Sequence, residues 1–138
     1  MHRKYNIHLK DDISQLIKLE NNIKQFSKEN ALSDDLSYFI NLVCEEIFVN
    51  TITYGKAKAS SIEVIFNFAI KDNVLAIIIE DNGMPFNPLQ IASPKTDLQL
   101  TERPVGKLGI FLTRQWANTI NYKRENEKNI LSLKKTIG

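Results

Sequence analysis

Residues 61–80 constrain this chain more than any other stretch. Two runs rich in Ile, Val and Phe, 61–70 and 74–80, are separated only by Lys71, Asp72 and Asn73. Short apolar runs around a polar, turn-forming triplet predict two antiparallel strands. A lone hairpin is marginal in water, so these strands need sheet neighbours and a layer that covers at least one face.

The rest of the chain supplies both. Tyr5, Ile7 and Leu9 alternate with Asn6 and His8, the period of a half-buried strand, and residues 119–124 and 129–135 predict a last pair of strands. Helical spacing of Ile13, Leu16, Ile17 and Ile23 predicts a first helix over 11–28, with Asp11 and Asp12 favouring its start. Ser33, Asp34 and Asp35 offer caps for a second helix, whose apolar residues run from Leu36 through Phe39, Ile40, Val43 and Ile47 towards a stop at Gly55. A third helical stretch beyond Gly109 holds Ile110, Phe111, Leu112 and Trp116. The predicted architecture is α+β, a two-layer sandwich with helices on one face of a mostly antiparallel mixed sheet. Between 81 and about 105 the patterning stops and Pro85, Pro88, Pro94 and Pro104 all occur, which predicts a lid over a site.

Length and composition fit one domain over residues 1–138, since 43% hydrophobic and 25% charged residues suit a globular chain with a core. A formal charge of +2 offers no broad field for nucleic acid or an anionic membrane, although a few cations suffice at one phosphate pocket. Cys44 stands alone and cannot pair internally, and with His2 and His8 far from it in sequence no structural zinc set forms. No run approaches the roughly 18 apolar residues of a membrane span, and Lys10, Asp11 and Asp12 interrupt the place of a signal peptide. The expected location is the reducing cytoplasm.

Three features carry chemistry. In the second helix, at about 100° per residue, Leu36, Phe39, Val43, Ile47 and Asn50 share one stripe with Glu46 at its edge, while Glu45 falls nearly opposite. Glu46 and Asn50 are thus an inward i, i+4 pair that needs a partner, either a neighbouring side chain or a ligand. Next, Asp81, Asn82, Gly83, Met84, Pro85 and Phe86 follow an apolar strand directly. A carboxylate there can accept a base's amino hydrogen, and Gly83 lets a ring approach the backbone, though Asn-Gly also makes a plain turn. Finally, Gly106, Lys107, Leu108 and Gly109 open a helix, where free amides and the dipole suit phosphate oxygens. A glycine pair before a helix also serves simple chain reversal.

In this order and spacing, the three features resemble the asparagine box and two glycine boxes of the Bergerat-fold, histidine-kinase-like ATPases. The short chain, the stretch 81–88 and the run Gly109, Ile110, Phe111, Leu112 are similar to the anti-sigma-factor serine kinases. The resemblance covers nearly the whole chain. It implies Glu46 as general base, Asn50 as magnesium ligand, Asp81 as adenine contact, and Gly83, Gly106 and Gly109 as loop glycines. Arg103 and Lys107 are further candidates for phosphate contacts. Two departures stand out: Lys107 sits where the family often has a second glycine, and residues 129–133 lack the Gly-Thr box of longer relatives.

The expected function is an ATP- and magnesium-dependent serine/threonine protein kinase that phosphorylates an anti-sigma antagonist, sequesters a sigma factor and forms a homodimer. The competing expectation is a non-catalytic, nucleotide-gated binding module. A histidine-kinase fragment fits less well, because neither His2 nor His8 lies on a long helix that could present it.

Overall fold

The computed structural model describes residues 3–55, 61–90 and 107–137. Among the described residues there are five strands: β1 (Arg3–Lys10), β2 (Glu63–Lys71), β3 (Val74–Asp81), β4 (Thr119–Glu125) and β5 (Lys128–Thr136). The α-helices among the described residues are α1 (Leu16–Glu29), α2 (Asp34–Tyr54) and α3 (Lys107–Trp116). The strands form one sheet in the order β1-β2-β3-β5-β4, and every ladder among the described residues is antiparallel.

Two tight turns close the hairpins. Asp72 and Asn73 join β2 to β3 with φ of 52° and 62°, and Asn126 and Glu127 join β4 to β5 with φ of 53° and 62°. Positive φ at both central residues matches the twist of the flanking strands, and Asn and Asp tolerate it better than most residues. The hairpins fix local register, so Phe66 lies opposite Ile79 and Ile79 opposite Leu131. One face of the sheet is therefore an apolar layer of Val64, Phe66, Phe68, Leu75, Ile77, Ile79, Leu131 and Leu133, all buried.

The helices cover that layer. In α1 the buried residues are Leu19, Ile23, Phe26 and Ser27, and Phe26 stacks on Phe68 of β2 with ring centroids 5.1 Å apart. The sequence predicts one helix over 11–28 from the spacing of Ile13, Leu16, Ile17 and Ile23, but the α-helix begins at Leu16, and Ile13 and Ile17 are 55% and 69% exposed. Ile13 lies in a separate 3-10 turn capped by Asp12, whose carboxylate accepts from Ser14 N at 2.9 Å. Ile17 precedes Leu19 by two residues, about 200° around the helix, and so faces away from the sheet.

Ser33 caps α2 as its sequence suggests, accepting from Leu36 N at 3.1 Å, and the helix stops at Gly55. Its buried set is Ile40, Val43, Cys44, Ile47, Phe48, Asn50 and Thr51, a broader band than one stripe, because α2 touches both α1 and α3 as well as the sheet layer. Phe39, expected to face inward, is 38% exposed and instead stacks on Trp116 of α3, with centroids 6.4 Å apart. Cys44 is fully buried, and burial pushes its thiol pKa up. No helix among the described residues is long and apolar enough to cross a membrane.

Candidate functional site

The site forms where the C-terminal half of α2, the end of β3 and the start of α3 converge. Asn50 is 1% exposed, and neither its carbonyl oxygen nor its amide nitrogen has a hydrogen-bond partner. Leaving buried amide atoms unpaired costs about 1–3 kcal/mol, so their retention points to a ligand or ion that satisfies them. One helical turn earlier, Glu46 is half-buried and engaged. Its side chain lies directly against Gly109 in the first turn of α3, and a Cβ at 109 would overlap its carboxylate and Cγ. Glycine at 109 therefore makes room for Glu46. Glu45, on another side of the helix, accepts from Asn41 Nδ2 at 3.0 Å, so the two adjacent carboxylates are separated as the helical phase requires.

Asp81 closes β3 on the core side of the sheet. Its Oδ1 accepts from Gly83 N and from Asn129 Nδ2, both at 2.9 Å. Burial pushes its pKa up, against the opposing pulls of those two hydrogen bonds and of Arg124. Gly83 is held by a close approach: Met84 N donates to Gly55 O at 2.7 Å, and a Cβ on Gly83 would run into that same carbonyl. The loop after β3 is thereby locked to the end of α2. Beside it Tyr54 and Phe86 stack, with ring centroids 5.3 Å apart.

Asp81, Ile47, Thr51, Ile79 and Leu131 line a small cavity under Phe86 and Pro88, with Tyr122 and Asn129 on its β4–β5 side. Its volume is about 10 Å³, room for no more than one water. An apolar slot with one carboxylate at its edge has the chemistry to receive a flat heteroaromatic ring with an amino group, once widened beyond its present volume.

The structure thus brings Glu46 to Gly109, and puts Asp81 in one slot with Ile47 and Thr51, neighbours on α2 of Glu46 and Asn50. Arg103 and Gly106 lie outside the described residues, as does most of the predicted lid, 91–105. Lys107 opens α3, and the phosphate contact expected of its side chain also lies outside what is described. Sequence reasoning missed Asn129, Tyr122 and Arg124. Asn129 is buried and makes four hydrogen bonds to the loop and its neighbours, while Arg124 Nη1 donates to Gly83 O at 2.8 Å. The one sequence signal was an amide at the head of the alternating row Asn129, Leu131, Leu133, on the face that carries the core.

Magnesium fits the donor set present. Asn50 Oδ1 is an unpaired carbonyl oxygen, the ligand type a hard cation takes. Among the described residues no three His, Cys, Asp or Glu side chains gather into a metal cluster. Phosphate and water would therefore supply most of the remaining ligands, as is usual for this ion.

A family model described as "Histidine kinase-like ATPase domain" matches residues 9–135. Among solved structures, the chain is similar to the histidine kinase domain from Erythrobacter litoralis EL346 blue-light activated histidine kinase. The TM-score is 0.54 at 16% identity, over 91% of this chain and 60% of that one. At that identity the likeness shows the fold alone, and the chain spans about 60% of that structure's length. No curated protein matches the chain.

Proposed function

The chain belongs to the histidine kinase-like ATPase domain family, and from that premise we propose that it is an ATP- and magnesium-dependent serine/threonine protein kinase of the anti-sigma-factor type. An ATPase domain implies ATP as the ligand. The observation that carries the reading is the unpartnered, fully buried amide of Asn50, one turn from Glu46 on a helix that also lines the Asp81 slot.

In this reading the base enters the slot and donates its amino hydrogen to Asp81. The phosphates extend towards α3, whose first-turn amides carry partial positive charge. When bound to Asn50 and the phosphates, magnesium would neutralise charge on the transferred group. Glu46 accepts the proton of the attacking hydroxyl, a role supported by its closeness to Gly109 in the first turn of α3. The protein substrate is a small anti-sigma antagonist, a sigma factor is a second partner, and the active form is a homodimer in the cytoplasm. Residues 1–138 act as a single domain, and Arg103, Gly106 and Lys107 complete the phosphate side.

Calorimetric titration with ATP and ADP, with and without magnesium, tests the site. Magnesium-dependent binding should be present in the wild type and weakened at least about tenfold in Asn50→Ala. No binding at millimolar nucleotide would sink the reading. Glu46→Gln then separates the kinase from a nucleotide-gated binding module. Phosphoserine or phosphothreonine on the partner should fall by about 10²–10⁴-fold while ATP still binds. Partner control that persists in both forms without phosphorylation would instead support the module.

A further inference from the structure

Asn129 stands directly opposite Asp81 in the β3–β5 ladder, on the core side of the sheet. Every hydrogen-bonding valence of its side-chain amide is used. Nδ2 donates to Asp81 Oδ1 at 2.9 Å and to Met84 O at 2.8 Å. Oδ1 accepts from Phe86 N at 3.2 Å and from the Tyr122 hydroxyl at 2.5 Å. The amide has one favoured orientation, because a flipped amide would set like groups against each other at Asp81, Met84 and Phe86 N, and the Tyr122 hydroxyl alone could accommodate either orientation.

That orientation has a consequence for Asp81. Its Oδ1 is saturated by two N–H donors, from Gly83 and Asn129, so the carboxylate plane is fixed. Oδ2, which has no hydrogen-bond partner among the described residues, is left as the atom a ligand can reach from the slot. Both donors also favour the ionised form, against a burial that favours the neutral one. A neutral carboxyl can donate a hydrogen bond, whereas an ionised one only accepts.

We propose that Asn129, oriented by Tyr122, is the positioning residue that keeps Asp81 a pure acceptor and so makes the site select a purine bearing a 6-amino group over one bearing a 6-oxo group. The inference rests on the nucleotide reading above. With Asn129 in place, an amino edge gains a bond to a charged acceptor, while a 6-oxo edge sets carbonyl oxygen against carboxylate oxygen. Without it, Asp81 can turn and take up a proton, and then serves either edge.

The test is titration of the full chain with ADP and with inosine diphosphate, which carries a carbonyl at purine position 6, in the presence of magnesium. The wild type should favour ADP by about tenfold or more, the worth of one hydrogen bond to a charged group. Asn129→Ala should weaken ADP while leaving inosine diphosphate nearly unchanged, so that the ratio falls towards one. Tyr122→Phe, which keeps the ring and removes only the hydroxyl, should give an intermediate ratio and decides the matter if the alanine variant does not fold. A role confined to stability would weaken both nucleotides alike or leave the ratio intact, and either result overturns the proposal. So does a wild type that binds both equally. A wild type that binds neither overturns the nucleotide reading as well, whereas a preference that survives in the folded variants sinks this inference alone.

Discussion

At the scale of the residue, Asp81 has two opposed duties, to sit in a buried position and to remain charged there. Burial raises its pKa above the ordinary value of 3.8, so the folded state binds a proton more tightly than the unfolded chain does. Stability contributed by this group is therefore present at low pH and declines as pH rises from about 3.8 through the raised value. At neutral pH the ionised form is a net cost to the ligand-free fold. Asp81→Asn removes the charge and can keep Oδ1 as acceptor for Gly83 and Asn129. The variant should melt above the wild type at pH 7, with the gap closing on acidification towards pH 4, and should bind ADP at least about tenfold more weakly. A variant less stable than the wild type at pH 7 would show that the charge is favourable in the empty site. The candidates Glu46, Asn50, Asp81 and Gly83 were all legible in the sequence, because each follows from a helical phase or from the end of an apolar strand. Asn129 was not, since its importance depends on a pairing with a residue 48 positions away.

At the scale of the element, two local choices have measurable consequences. α1 ends with Leu32 N donating to Ser27 O at 2.9 Å and Ala31 N to Lys28 O at 3.2 Å, leaving Ala31 at φ 52°. This is the left-handed C-terminal position that glycine fills most readily. Ala31→Gly should stabilise the protein by about 1 kcal/mol, a rise of roughly 3 °C in Tm, and thermal melting checks it. The second choice is the junction of α2 and α3, where Gly109 admits the Glu46 side chain. Because the group in the way is a flexible side chain rather than backbone, Gly109→Ala should cost little stability but push Glu46 out of place. Phosphotransfer should then drop by the same order as in Glu46→Gln, about 10²-fold or more, and unaltered turnover would remove Glu46 from the reaction. The elements were legible because their periods are local: each strand and helix could be placed from its own alternation and caps. The facing of the helices was less so. Ile17 and Phe39 satisfy an apolar spacing yet point outward, since packing against a particular neighbour, not periodicity alone, chooses which stripe is covered.

At the scale of the whole molecule, the order β1-β2-β3-β5-β4 places Asp81, at the end of the central strand, beside both α2 and β5. Local patterning proposed the layers and the family spacing, but the register that sets β5 against β3 joins segments roughly fifty residues apart and has no periodic signature. The same layering encloses Cys44 at the middle of α2, with no exposed surface and a thiol held in its unreactive, protonated form. The chain consequently carries a built-in clock. A thiol reagent can mark the sulfur only while the core around α2 is open, so the labelling rate counts openings. Labelling should run about a thousandfold or more slower than in denaturant. If the openings are global, saturating nucleotide should slow it further by the factor 1 + [L]/Kd. Labelling that is quick and indifferent to nucleotide would mean that α2 loosens by itself, leaving the sheet intact.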